Sequence, residues 1–137
     1  MGYPLTTAVK ICGITSLKQA LAIASLGVDA IGIIGVLSSS RFVNEKTRRE
    51  IFSELSIIAP RLQRVWVVAD LNAQQIKEGI EGEGAPSVVQ LHGKETPEIC
   101  ADLKKKHPRV QWWKALHIQK FEDLQLANSY RDIVDAL

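Results

Sequence analysis

Apolar residues along this chain recur at two alternating spacings, every second residue and roughly every 3.6 residues, with turn-forming residues at each change. The period-2 segments predict five strands, and the segments between and after them predict five helices. A short sixth segment, residues 133–137, has the pattern of a strand that has barely begun. The predicted strands are residues 9–12, 30–36, 65–68, 87–91 and 111–116.

Residues that favour a helix N-terminus precede the first four predicted helices. If Ser16 rather than Thr15 is the first cap, Gln19 completes a capping box, and Gln75 does the same for the third helix. The predicted caps are Thr15 or Ser16, Asn44, Asn72, and Thr96, which Pro97 follows. The fifth helix is predicted over residues 121–130, and Pro4 makes the first six residues an irregular lead-in.

Strands that alternate with helices through short connections predict a parallel sheet in a single α/β domain spanning residues 1–137. Two architectures satisfy this pattern. One is a (β/α)8 barrel cut short after about five units, which is a half-barrel. The other is an open doubly wound sheet of the flavodoxin type, with helices on both faces. Periodicity alone does not choose between them.

Composition narrows the function classes. A net charge of +2 over 137 residues gives no argument for binding nucleic acid or an anionic membrane. No apolar run approaches the ~20 residues of a membrane span. Two cysteines make a poor disulfide framework, and three scattered histidines have no metal-ligand spacing. We therefore expect a reduced, cytoplasmic protein without a metal site.

Three motifs stand at the ends of predicted strands: K-I-C-G-I-T from Lys10, S-S-S-R-F-V from Ser38 and V-V-Q-L-H-G from Val88. Their order and spacing, with W-K-A-L from Trp113, resemble the first five to five-and-a-half β/α units of phosphoribosylanthranilate isomerase. That family belongs to tryptophan biosynthesis and folds as a (β/α)8 barrel. The resemblance implies the truncated-barrel architecture, a small-molecule substrate and no metal or organic cofactor.

The resemblance also implies a reaction, the Amadori rearrangement of N-(5-phosphoribosyl)anthranilate. A general acid protonates the furanose ring oxygen, and the ring opens to a Schiff base. A general base then removes the C2 proton, and the enolamine relaxes to the ketone. The acid and the base must lie on opposite sides of the substrate, each within hydrogen-bond reach of its atom.

Two residues match the family's principal site positions. Cys12 falls on the general base, and Lys10, on the same strand face by alternation, offers a cation that stabilises a thiolate. Arg41 matches the arginine that binds the anthranilate carboxylate, a task suited to a planar guanidinium. The family usually has Ser-Pro-Arg-Tyr at this loop. Ser40 and Phe42 replace the proline and the tyrosine, so we expect a less rigid loop.

Further polar residues end the neighbouring strands. Gln90 and His92 share one face of the fourth strand and match polar groups that line the family's pocket, although a histidine that merely contacts a neighbouring loop fits equally well. Asp70, at the end of the third strand, is a weaker pocket candidate. Cys100, on the apolar side of a helix, is expected in the core. Trp112 and Trp113 are adjacent on a strand and must face opposite sides of the sheet.

The family's general acid is an aspartate at the end of the sixth strand, and its phosphate loops follow strands seven and eight. By register, both lie beyond Leu137, and Asp135 stands too early to be the acid. The chain alone is therefore expected to be inactive or very weak as an isomerase. Its open strand edges predict self-association or a complementing partner. Two alternatives stay open: a non-catalytic binding or assembly module, and a truncation product without its own function.

Overall fold

The computed structural model describes residues 6–137, so most of the predicted lead-in lies outside the described residues. Five strands and five helices alternate, as the hydrophobic pattern predicts. The strands are β1 (Lys10–Cys12), β2 (Ala30–Ile34), β3 (Gln63–Val68), β4 (Val88–Leu91) and β5 (Gln111–Lys114). The helices are α1 (Leu17–Ala24), α2 (Glu45–Ile58), α3 (Ala73–Ile80), α4 (Pro97–Lys106) and α5 (Asp123–Tyr130).

The strands form one parallel sheet in the order β1-β2-β3-β4-β5. Strands that neighbour one another in sequence order are characteristic of a barrel. A doubly wound sheet instead reverses its strand order at a switch point. The flavodoxin-like alternative is therefore wrong, and the described chain is a half-barrel. Its predicted sixth strand has begun, because Ala136 forms a parallel bridge to Trp113 of β5.

All five helices pack on one face of the sheet. Between them and the sheet lies the larger apolar core, which contains Phe52, Leu55 and Trp112 among its fully buried side chains. The concave face carries a smaller buried cluster: Ala30, Ile34, Val65, Val67 and Val88. Trp112 belongs to the outer layer and Trp113 packs against the inner cluster, which confirms that the two rings face opposite sides.

The capping signals place most helix starts correctly. Asn44 and Thr96 each accept a backbone N–H three residues on, and Asn72 with Gln75 forms the predicted capping box. The first helix differs. Ser16 is its cap, but the Gln19 side chain bonds to the backbone and hydroxyl of Thr15 instead of the Ser16 N–H. The predicted box at Ser16 is therefore incomplete, because the amide reaches one residue further back.

Candidate active site

The thiol of Cys12 lies on the concave face, at the carboxyl end of β1. Gly32 of β2 is directly opposite, and a Cβ built there would lie 2.7 Å from Sγ of Cys12 and 3.2 Å from Cε of Lys10. Both side chains therefore occupy the space that the missing Gly32 side chain leaves. Cys12 is exposed to solvent, whereas the other free cysteine, Cys100, is buried. The sequence-based placement of Cys100 in the core is confirmed.

Lys10 and Gln90 meet across the curved sheet. The Lys10 Nζ donates a 2.8 Å hydrogen bond to Oε1 of Gln90, although β2 and β3 lie between their strands. This contact requires strong curvature, which brings β1 and β4 toward each other over the small inner cluster. The cluster is consequently covered rather than open to water, with Val65 and Val88 both fully buried.

The loop after β2 carries Arg41 to the same edge. Its side chain lies over Gly13, the residue after Cys12, because a Cβ at Gly13 would come within 2.8 Å of the Arg41 Cζ. Two contacts hold the loop. The backbone N–H of Arg41 donates a hydrogen bond to the Ser39 hydroxyl, and Phe42 forms a short parallel bridge to Ile34. Among residues 6–137, no carboxylate pairs with this guanidinium, so its donors are free for a ligand.

His92 and Arg41 line one open cleft of about 310 Å³. Its walls are mainly apolar, and its polar groups are the guanidinium, the imidazole and a serine hydroxyl. Such a site suits a flat apolar body with one anionic group. His92 directly follows β4, and its backbone N–H donates to the Val68 carbonyl at 2.8 Å. The other lining residues are Ile34, Val36, Ser39, Val67 and Ala69.

Asp70 is used differently from the other candidates. It has φ of +53°, and its carboxylate accepts the N–H of Lys94 at 2.7 Å while packing against Gly93. It does not line the cleft that holds Arg41 and His92. The structure therefore gives Asp70 the task of joining the loops after β3 and β4.

A buried ion pair near this edge was missed by the sequence reasoning. The Lys114 Nζ lies 3.1 Å from Oε2 of Glu95, and both side chains are almost entirely buried. In the sequence, Lys114 is distinguished only as part of W-K-A-L. Strand alternation places Lys114 on the same helix-facing side of β5 as Trp112. Because buried lysines are nearly always paired, this position could have predicted an acidic partner.

Near the start of the sixth strand, Asp135 is engaged in structural contacts. One carboxylate oxygen accepts the Trp112 N–H at 2.8 Å and the other pairs with Lys104 at 2.9 Å. Partial burial raises the pKa of Asp135, but these two contacts outweigh it, and the pKa lies below its usual range. The carboxylate faces the outer layer with Trp112, which agrees with the prediction that Asp135 is not the acid.

In residues 6–137, no group of three or more histidine, cysteine or acidic side chains is arranged to hold a metal ion. None of the helices there combines the length and the apolar character that crossing a membrane requires.

Known proteins similar to this chain agree with one another. The family model described as N-(5'-phosphoribosyl)anthranilate isomerase matches residues 9–137. Curated N-(5'-phosphoribosyl)anthranilate isomerases of Trichormus variabilis and Synechococcus elongatus are 39% and 40% identical to it over 129 residues. These matches cover 94% of this chain but 60% and 58% of the relatives. The chain thus spans about three fifths of the length of the curated relatives it matches.

Solved structures give the same picture. Phosphoribosyl anthranilate isomerase from Thermotoga maritima is 31% identical, with a TM-score of 0.82 over 93% of this chain and 58% of that one. A second phosphoribosyl anthranilate isomerase structure, in complex with reduced 1-(o-carboxyphenylamino)-1-deoxyribulose 5-phosphate, has 30% identity and a TM-score of 0.82. That match covers 96% of this chain and 66% of the other.

Proposed function

The chain belongs to the N-(5'-phosphoribosyl)anthranilate isomerase family, and from that membership we propose that residues 1–137 supply the general base and the carboxylate-binding half of an isomerase active site. The reaction is the Amadori rearrangement of N-(5'-phosphoribosyl)anthranilate. The observation that carries this proposal is the placement of Arg41 over Gly13, beside the exposed thiol of Cys12. The anion-binding guanidinium thus lies over the residue that directly follows the base.

Cys12 removes the C2 proton of the ring-opened substrate. A thiolate is the reactive form of cysteine. The Lys10 side chain lies beside that of Cys12, since both converge on the space above Gly32. Gln90 fixes the Lys10 ammonium through its 2.8 Å hydrogen bond. This hydrogen bond keeps the Lys10 ammonium on the concave face, on the same side of β1 as the Cys12 thiol.

Arg41 binds the carboxylate of the anthranilate ring. Two parallel N–H···O bonds orient a planar carboxylate as well as hold it. The apolar floor of the cleft, with Ile34 and Val67, receives the face of the aromatic ring, and His92 contacts the ring or its amine from the opposite wall. The ribose then extends over the concave face toward Cys12, which places C2 near the base.

Turnover requires more than these five units. The acid must protonate the ring oxygen from the side opposite the base, and we assign it to no residue of this chain, because Asp135 is held by Trp112 and Lys104. The missing wall is supplied by further β/α units, on the same polypeptide or another. General acid catalysis contributes about 10²–10⁴-fold, so residues 1–137 alone are expected to turn over slowly or not at all.

A second candidate is a binding or assembly module without turnover. It is favoured by the fact that the cleft of Arg41 and His92 is formed entirely within the described chain. Exposed apolar side chains also lie at both open edges: Val9 precedes β1, Ile11 belongs to it, and Leu137 follows the Ala136 that bridges to β5. These edges are expected to bind a second copy or a complementing half-barrel. A monomer by light scattering across micromolar concentrations would contradict self-association.

The test is an isomerase assay with N-(5'-phosphoribosyl)anthranilate. Residues 1–137 are measured alone and mixed with a polypeptide that carries units six to eight of a relative. We expect turnover only in the mixture, and we expect Cys12→Ala to abolish it. Cys100→Ala is the matched control, because it removes a thiol that lies in the core. Equal turnover in the two variants would remove Cys12 from the mechanism, and binding without turnover in the mixture would favour the second candidate.

A further inference from the structure

The backbone around His92 is held by one buried ion pair, formed by Lys114 of β5 and Glu95 of the loop after β4. Their side chains are only 2% and 5% exposed. A buried charge is stable only when its partners satisfy it fully. Three of the five backbone groups that bond to this pair belong to Leu91 and Gly93, the residues on either side of His92. We call Lys114 and Glu95 the β4 clamp.

The ammonium of Lys114 binds both backbone carbonyls that flank His92. Its Nζ donates to the carbonyl of Leu91 at 3.3 Å and to that of Gly93 at 2.8 Å. It also donates to the Ala115 carbonyl at 3.1 Å and pairs with Glu95 at 3.1 Å. A single ammonium therefore fixes the chain immediately before and immediately after the histidine.

The carboxylate of Glu95 completes the clamp from the other side. Its Oε2 accepts the N–H of Gly93 at 2.9 Å, and its Oε1 accepts the N–H of Asp70 at 2.9 Å. Asp70 in turn accepts the N–H of Lys94. The loops after β3 and β4 are thereby joined into one unit. The hydroxyl of Tyr130 anchors that unit to α5 through a 2.7 Å bond to the Glu95 carbonyl.

We infer that Lys114 and Glu95 are positioning residues, which fix the loop after β4 so that His92 faces Arg41 across the cleft. They do not touch the cleft themselves, and Arg41 is not among their contacts. This inference rests on the proposed function for its effect on turnover, but its structural part is independent of that function. A misplacement of about 1 Å in a binding group can reduce a rate by about 100-fold, so loss of the β4 clamp is expected to reduce the turnover rate.

The test separates positioning from stability. Lys114→Met alone leaves a carboxylate buried without its partner and is expected to destabilise the chain. The double variant Lys114→Met/Glu95→Gln leaves no unpaired buried charge, although methionine offers no donor to the carbonyls of Leu91, Gly93 and Ala115. Glutamine has one carbonyl oxygen in place of two carboxylate oxygens, so it cannot accept the Gly93 and Asp70 N–H groups on separate oxygens as Glu95 does. We therefore expect a thermal midpoint above that of Lys114→Met alone, together with a loosened loop.

Two readouts follow the loop in residues 1–137. Hydrogen exchange of the Gly93 amide should accelerate at least about tenfold in the double variant, because its acceptor is weakened. The His92 ring resonances should broaden or shift. In the complemented assay, run well below the melting temperature of the variant, kcat/KM should fall by about tenfold or more. Lys106→Met, which removes an exposed ion pair with Asp102, is the matched control and should change none of these quantities.

Several outcomes would overturn the inference. One is a double variant whose Gly93 exchange and His92 resonances are those of the wild type. Another is activity that follows the melting temperature alone through all variants, which indicates a merely structural pair. If the double variant does not fold, wild-type exchange decides: a Gly93 amide as fast as that of exposed Gly82 contradicts the clamp. If the complemented wild type shows no turnover, the proposed function fails, and the exchange and resonance data alone judge the clamp.

Discussion

Gly13→Ala is expected to weaken carboxylate binding by displacing Arg41, and the chain contains a matched control. Gly13 has φ of +84° and Gly27 has φ of +78°, so an alanine at either position adopts a left-handed backbone. That conformation costs roughly 1–2 kcal/mol for a residue with a Cβ. At Gly27 the added Cβ meets nothing within 4 Å, whereas at Gly13 it overlaps the Arg41 guanidinium. The two variants share the backbone cost and differ in the contact.

The guanidinium is the end of a flexible side chain and can swing away, so the overlap should move Arg41 more than it destabilises the fold. We expect both variants to lose a similar amount of stability, about 1–2 kcal/mol. A hydrogen bond to a charged group contributes about 1.5–3 kcal/mol. Removing that contact from Gly13→Ala alone should weaken anthranilate binding by about 10- to 150-fold, at 1.4 kcal/mol for each factor of ten.

The assay is a titration of residues 1–137 with anthranilate, followed by nuclear magnetic resonance at the amides of Ser39 and His92. Thermal unfolding is measured on the same samples. The wild type and Gly27→Ala should bind alike, and Gly13→Ala should bind weakly at comparable stability. Equal affinity in the two alanine variants would refute the argument, because Arg41 would then bind the carboxylate from a place that Gly13 does not control.

Two further predictions concern thiol chemistry and pH. A thiol reagent at neutral pH should label Cys12 and spare Cys100 until the chain unfolds, because burial raises the pKa of the Cys100 thiol to about 11. Mass spectrometry of the native protein after labelling checks this, and prompt labelling of both cysteines would contradict it. The pKa of Asp135 in the folded state is lowered, because the contacts with the Trp112 N–H and Lys104 outweigh partial burial. The Asp135 carboxylate therefore stabilises the fold at pH values above its pKa in the unfolded chain, about 3.9. This contribution is lost as the pH falls through the folded-state pKa. The melting temperature of the wild type should therefore fall more steeply below pH ~4 than that of Asp135→Asn, and parallel curves would show that the contact contributes nothing.

Much of the local structure could be predicted from the sequence. Strand alternation put Lys10 and Cys12 on one face and separated Trp112 from Trp113, because successive side chains of a strand point to opposite sides. Most helix starts followed from Asn44, Asn72 and Thr96, whose short polar side chains satisfy free N–H groups of the first turn. The chain's motifs also indicated its family. All of these signals act within a few residues.

The strand order, and hence the choice of half-barrel over open sheet, required the tertiary structure. So did the contacts that make up the site: the Arg41 side chain over Gly13, the bond from Lys10 to Gln90, and the pairing of Lys114 with Glu95. The last two join residues 80 and 19 positions apart in sequence. Side-chain periodicity reports which face of an element is buried, but it does not report which other element covers that face. The curvature of the sheet decides that, and it exists only once all five strands are paired.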